Sequence, residues 1–295
     1  MEGSTFRIYE LNLWVKIVGI VIPLLVVIVN SIQIHVLRKT SHKPFYEKIL
    51  FSMTICDLIN GVLSCFCVPL DLTIKTEFYN LLYWNIWWFW ICYWTLAVLL
   101  HLIVIGIDRL WALAKPFHHR IYHTHRKLVV AVALSWCLPW IFIIFHIILV
   151  ISKGMNAKEA YSHIMIFMRS DVAKIIAIAD IMLIAIYCSI IGINYSTNNA
   201  AMKNRHSNQA NSKRTLLLCV GIVVIYIVFT APFIVVHVIR WNSPHWLDNL
   251  GTLLAPMIQI SNSVLYLSQK YRTRQSSHTS RRNTRNSVAS VESRL

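Results

Sequence analysis

Seven apolar stretches, each about 20 residues or longer, set the terms on which this chain can fold. They run at about 13–37, 48–70, 81–107, 127–151, 172–196, 215–240 and 246–268. At about 1.5 Å per residue, a helix of that length crosses the roughly 30 Å hydrocarbon layer of a bilayer. Backbone N–H and C=O groups find no water in lipid, so each stretch is predicted to be a helix. The third is the clearest. Between Leu81 and Ile107 its one ionisable side chain, apart from weakly acidic Tyr and Cys, is His101. The fifth is the least apolar, with Asp180 inside it and Lys174 near its start. Short connectors predict antiparallel neighbours, and no internal repeat or inverted symmetry between halves stands out.

Composition supports the same reading. The chain is 57% apolar and 14% charged, against about 25% charged residues in a soluble domain. Its formal charge of +16 would suit a nucleic-acid partner, but the basic residues lie in connectors and a tail rather than on one face. Nucleic-acid binding is therefore not expected, and the charge reads as orientation of membrane segments. Of the 28 Lys and Arg, eight (Arg7, Lys16, Lys75, Lys153, Lys158, Arg169, Lys174 and Arg240) fall on one side of the predicted spans. The other 20 share a side with the C-terminal tail. By the positive-inside rule, the tail is cytoplasmic and the N-terminus extracellular. Trp84, Trp87, Trp88, Trp241 and Trp246 gather at the outer ends, as interfacial aromatics do.

The predicted organisation is an extracellular N-terminus over 1–12, a seven-transmembrane-helix domain over 13–268, and a cytoplasmic segment over 269–295. Met1 to Leu13 carry no basic run or small-residue cleavage site, so the first apolar stretch is expected to remain as a helix. From Thr273 onward the chain is rich in Ser, Thr, Arg and Asn, a composition expected to be disordered. All seven cysteines lie in apolar stretches, and most are expected to be packed and reduced.

Ionisable groups inside a span are costly and mark function by default. Asp57 lies midway along the second span, and Asp108 and Arg109 sit at the inner end of the third. Asp180 lies in the fifth, and His101, His146 and His237 complete the set. For Asp180 and His146, hydrogen bonding between helices is the preferred reading over ligand contact or pH sensing. For His237 the two readings are balanced. One class of function consistent with such groups is a transporter or channel that uses Asp57, Asp180 and the histidines as an ion relay.

The run Asp108-Arg109-Leu110-Trp111-Ala112-Leu113-Ala114-Lys115-Pro116-Phe117 resembles the Asp-Arg-Tyr motif and second inner loop of rhodopsin-like (class A) G-protein-coupled receptors. Other landmarks follow in order over about residues 13–275. They are Asn30 in the first helix, Asp57 in the second, Trp136 in the fourth, Tyr187 in the fifth and Pro232 in the sixth. Asn262-Ser263-Val264-Leu265-Tyr266 resembles the Asn-Pro-x-x-Tyr motif, and Gln269-Lys270-Tyr271-Arg272 resembles the start of an amphipathic eighth helix. The resemblance implies an all-α membrane protein, a seven-transmembrane-helix bundle with a short amphipathic eighth helix, at the cell membrane. It implies a receptor that passes an extracellular ligand's signal to a heterotrimeric G protein, with no enzymatic step and no cofactor. Asp108, Arg109, Pro116, Tyr187, Pro232 and Tyr266 would then serve coupling and activation. Trp88, Ile91, Thr95 and His237 would line a ligand pocket. Arrestin would be a later partner on a phosphorylated tail.

Departures from the pattern narrow these implications. Ser263 stands for the usual Pro, Thr230 for the Trp of the activation switch, and Leu110 for Tyr. Trp84 occupies the place of the bridging Cys, and the second outer loop at about 152–171 has no Cys, so the family's common disulfide is not expected. Pro256 stands where visual pigments bind retinal, and Ile91 where amine receptors carry Asp, which argues against both ligand classes. Ser263 and Thr230 keep open a receptor-like protein that no longer signals. Asp57, Asn30 and Asn262 carry two readings, a sodium site of hard oxygen ligands or a hydrogen-bonded staple between helices. Val98 and Thr230 depart from the pattern that accompanies the ion. In the tail, Arg281-Arg282-Asn283-Thr284 and Arg285-Asn286-Ser287 suit basic-directed kinases, and Ser293-Arg294-Leu295 resembles a C-terminal ligand for PDZ domains.

Overall fold

The computed structural model describes residues 13–39, 44–73, 77–115, 117–119, 125–154, 163, 171–201, 207–238 and 257–271. Among these residues the fold is all helical. The helices are α1 (Leu13–Arg38), α2 (Phe45–Thr73), α3 (Glu77–Ala114), α4 (His125–Ser152), α5 (Val172–Ala201), α6 (Ser207–Val238) and α7 (257–271). A short helical turn at 117–119 follows α3.

Five helices contain stretches long and apolar enough to cross a membrane: Ile20–Arg38, Phe45–Phe66, Phe89–Ala114, Arg126–Leu149 and Val172–Ile193. The apolar part of α6, Leu217–Ala231, is shorter than these, and α7 is described over 257–271. These elements overlap the first to seventh predicted stretches in order, with ends that differ by several residues. The expected eighth helix is described only at 269–271, where the chain continues α7. The remainder of the tail, the N-terminus over 1–12 and most of the second outer loop lie outside the described residues.

Local chemistry sets the ends. The Pro44 carbonyl accepts from the backbone N–H of Glu47 (3.1 Å) and Lys48 (3.3 Å), opening α2. Proline suits that place because its missing N–H lies outside the helical ladder. At the end of α4, Gly154 adopts φ 64° and its N–H reaches the Ile151 carbonyl at 3.1 Å. A left-handed residue there satisfies an end carbonyl, and glycine takes that conformation without a Cβ clash.

The third helix is the hub. It packs against α2, α4, α5 and α6, and Cys92, Tyr93, Trp94, Leu96, Ala97, Val98, Leu99 and Leu102 are all buried in one core. Polarity is arranged the other way round from a soluble protein. Asn30, Asp57, Asn60, His101, Asp180, Thr230, Gln259 and Asn262 are buried, whereas Ile141, Phe145, Ile148 and Ile181 are exposed. Exposed aliphatic faces over buried polar side chains are what lipid as solvent requires. The cysteines divide likewise: Cys56, Cys92 and Cys219 are buried, Cys65 is half-buried, and Cys137 and Cys188 are exposed.

The first two helices approach closely at Gly61. A Cβ built there would lie 2.7 Å from Val26 Cγ1 and 3.3 Å from both Val26 Cβ and Val27 Cγ2. Both neighbours are β-branched and stiff about χ1, so they cannot swing clear. Gly61→Ala is expected to force α1 and α2 apart and cost about 1–3 kcal/mol of overpacking. Thermal unfolding of the purified variant checks this, and an unchanged midpoint would mean the two helices have slack at this crossing.

Candidate functional site

The C-terminal end of α3 carries a dense polar arrangement among the described residues. Asp108 and Arg109 are adjacent, and their side chains are 2% and 18% exposed. Arg109 donates from Nε to Asp108 Oδ2 at 3.0 Å, and Nη2 donates to the same oxygen. The other carboxylate oxygen, Oδ1, accepts from His119 Nε2 at 2.9 Å. His119 sits in the turn after α3, where its own N–H bonds the Lys115 carbonyl at 2.9 Å. Its ring meets Trp111 edge-on at 6.0 Å. Asp108 thus holds a neighbour on its own helix and a residue of the turn after it at once. Charged hydrogen bonds of this kind are shorter and about twice as strong as neutral ones.

The guanidinium of Arg109 also has a face. Its Cζ lies 4.3 Å from the ring centroid of Tyr46 at the start of α2. Next to Tyr46, buried Glu47 accepts from Lys270 Nζ of α7 at 3.1 Å. That ammonium stands 6.0 Å from the Tyr266 ring. Tyr187 on α5 is buried against α3, whose Gly106 leaves room for it: a Cβ at 106 would lie 3.0 Å from Tyr187 Cε2. Asp108, Arg109, Tyr187 and Tyr266 therefore lie toward the same end of the bundle. Pro116 and the Pro232 side chain lie outside the described residues.

Further into the bundle, polar side chains pair helices. Two indoles on α3 reach α2: Trp94 Nε1 donates to Asp57 Oδ1 at 2.9 Å, and Trp90 Nε1 to Asn60 Oδ1 at 2.6 Å. Ser263 on α7 donates to Asn30 Oδ1 on α1 at 2.8 Å, while Asn30 Nδ2 bonds the Val26 carbonyl at 2.9 Å. Thr230 on α6 donates to Asp180 Oδ2 on α5 at 3.0 Å. The preferred reading of Asp180, a bond between helices, describes this contact. A sodium ion would need several oxygens turned to one point. Here Asp57 Oδ1 and Asn30 Oδ1 are each taken by a donor, and among the described residues no hydrogen bond joins Asp57 to Asn30 or Asn262. Asn262 Oδ1, the third oxygen of that set, is buried with no hydrogen-bond partner among the described residues.

A third arrangement joins α2, α3 and α4. Trp136 Nε1 donates to Ser52 Oγ at 2.9 Å, and Ser52 Oγ lies 3.0 Å from His101 Nε2. His101 Nδ1 lies 2.7 Å from the Ala97 carbonyl. A carbonyl can only accept, so Nδ1 carries the proton and Nε2 accepts from the serine. His101 is thereby satisfied at both nitrogens. Of the groups proposed for an ion relay, Asp57, Asp180 and His101 are held in three separate pairings among the described residues.

Of the expected pocket residues, Ile91 and Thr95 on α3 are half-buried, and the Thr95 hydroxyl bonds the Ile91 carbonyl at 2.8 Å. The side chains of Trp88 and His237 lie outside the described residues. His119, Tyr46, Glu47, Lys270 and Ser52 were not singled out as site residues from sequence. The one available signal was that Glu47 is an acidic residue in a strongly basic inner flank.

A carboxylate–guanidinium pair at the C-terminal end of a central helix, with the following turn folded onto it, coincides with the Asp-Arg motif noted in the sequence. The family profile described as 7 transmembrane receptor (rhodopsin family) matches residues 24–269. The chain belongs to that family, and is a multi-pass membrane receptor of the G-protein-coupled type. No individual curated protein matches it.

Proposed function

We propose that this receptor carries an extracellular ligand's signal to a heterotrimeric G protein, with its N-terminus outside and its tail in the cytoplasm. The observation that supports this most is the Asp108–Arg109 pair, buried at the inner end of α3 and capped by His119 of the second inner loop. Such a pair can exist in two arrangements, closed on itself or opened toward a protein partner. A ligand binds among the outer parts of the third, fifth, sixth and seventh helices, with Trp88, Ile91, Thr95 and His237 as contacts. It acts through its difference in affinity between the two arrangements. Pro116, Tyr187, Pro232 and Tyr266 take part in coupling, and the seven-span bundle continues into an amphipathic eighth helix. The basic tail is a phosphorylation site that recruits arrestin, and its last residues bind a PDZ domain.

The test is nucleotide exchange on purified heterotrimers of each Gα class, with receptor in lipid nanodiscs and a broad ligand panel. Acceleration by the receptor in at least one class, alone or with ligand, is the expected result. Silence in every class would favour a receptor-like chain that no longer signals. Ion flux in liposomes without any exchange would favour the transporter reading.

A further inference from the structure

The Asp108–Arg109 pair accounts for one edge of the guanidinium and leaves its face and the group beneath it unexplained. That face lies on the Tyr46 ring, with Cζ 4.3 Å from the centroid. A cation over an aromatic face is attracted by the ring's electron density, more strongly where water is excluded. Tyr46 is followed at once by Glu47, whose side chain is 6% exposed. A buried carboxylate is costly unless paired. Its partner is Lys270 at 3.1 Å, 223 residues away in sequence and on α7. The Tyr46 hydroxyl sits 3.5 Å from the same oxygen, Oε1. The second oxygen, Oε2, is buried and accepts no hydrogen bond among the described residues. Glu47 therefore has one oxygen holding α7 and one left for a donor.

Each contact ties a different helix. Tyr46 and Glu47 belong to α2, Arg109 to α3 and Lys270 to α7, one turn after Tyr266, whose ring lies 6.0 Å from the same ammonium. The cation-bearing faces of α3 and α7 meet a single two-residue unit of α2. Breaking the Glu47–Lys270 pair would release α7 from α2 and leave a buried carboxylate beside the plate that carries Arg109. The α6 segment Ser207–Val238 contains no Asp or Glu to serve as an anionic partner for Arg109 from that side.

We propose that Tyr46, Glu47 and Lys270 form a second inner latch, which positions Arg109 in the resting arrangement by fastening α2 to α7 beneath it. These are positioning residues. They act through Arg109, and their role in signalling rests on the coupling reading given above. Opening the latch costs the closed state one interhelical ion pair. It also makes Glu47 available to a second donor, for which Arg109 is the neighbouring candidate.

The experiment compares Glu47→Gln, Lys270→Gln and the charge exchange Glu47→Lys/Lys270→Glu, with Tyr46→Phe and Tyr46→Leu, against the parent and Asp108→Asn. Full-length receptors in nanodiscs are read twice, by ligand-free nucleotide exchange and by thermal unfolding midpoint. Each neutralisation should raise exchange at least about threefold, the factor that an interhelical bond of average strength in a membrane bundle corresponds to. Each should also lower the midpoint. The charge exchange should bring both readings back toward the parent. Tyr46→Phe should behave like the parent, and Tyr46→Leu like Glu47→Gln. The latch is overturned, with the coupling reading intact, if Asp108→Asn raises exchange while the Glu47 and Lys270 variants do not, or if the charge exchange is no closer to the parent than the single variants. If no variant, Asp108→Asn included, promotes exchange in any Gα class, the coupling reading falls. The unfolding midpoints then decide the latch as a fastening between helices: recovery in the charge exchange supports it, and additive losses overturn it.

Discussion

Asp108→Asn is expected to raise ligand-free nucleotide exchange, and Arg109→Ala to lower it, at matched surface expression. Asp108 is the shared acceptor for Arg109 on one oxygen and His119 on the other. Asparagine keeps the shape but loses the charge, and it presents an NH2 group where one of two donors arrives. Both Arg109 and the second inner loop are then released from one residue. At 2% exposure the carboxylate lies where the dielectric is well below that of water, so the pairing exceeds the ~0–1 kcal/mol of an exposed surface pair. Moving a resting population from 1:99 to 1:1 takes about half of the ~5.5 kcal/mol of a full switch. Loss of one buried charged pair is of that order. On the proposed coupling reading, Arg109→Ala instead deletes the group that would meet the G protein, so exchange is expected to fall even though the lock is gone. If both variants signalled like the parent, Arg109 would be only an interfacial charge that snorkels to the headgroups.

Much of this arrangement was legible in the sequence, and the limit is instructive. Five spans followed from apolar length, and Asp108–Arg109 from a motif in which both partners are adjacent. His119 was not found, because the bond depends on the chain folding back after Lys115, and spacing does not encode that. Glu47 and Lys270 were beyond reach for the opposite reason, since no local pattern links residues 223 positions apart. Sequence marked His101 as a costly buried group but could not choose Ser52 among the many serines as its partner. Two departures from the family pattern acquire a physical account. Ser263, in place of proline, donates to Asn30 and joins α7 to α1. Thr230, in place of tryptophan, donates to Asp180 and joins α6 to α5. Each substituted side chain carries a hydroxyl, and each hydroxyl bonds a polar residue on another helix. Sequence and structure both say least at the start of α3, where the side chains of Trp84–Trp88 lie outside those described.

The largest loss of stability from a single small change is expected at Ser52. Its hydroxyl accepts from Trp136 Nε1 at 2.9 Å and donates to His101 Nε2 at 3.0 Å, so it alone satisfies one donor on α4 and one acceptor on α3. Ser52→Ala removes few atoms but leaves both of those groups without their partner in the interior. A buried polar group left unsatisfied costs about 1–3 kcal/mol, so two place the loss at roughly 2 kcal/mol or more. Trp136→Phe removes one donor, and the hydroxyl keeps its bond to His101. Its loss should be nearer the ~0.6 kcal/mol average of interhelical hydrogen bonds in membranes. The decisive comparison is the triple variant Ser52→Ala/His101→Leu/Trp136→Phe. Removing every partner together leaves no orphan, and replacing both sides of a hydrogen bond with apolar groups is close to neutral. The triple variant should therefore unfold later than Ser52→Ala, despite carrying two more substitutions. Thermal midpoints of the four purified proteins in one lipid and detergent system would show the order. A triple variant less stable than Ser52→Ala by the sum of the added losses would mean that the three side chains act separately, and that shape rather than polar satisfaction holds α2, α3 and α4 together at this level.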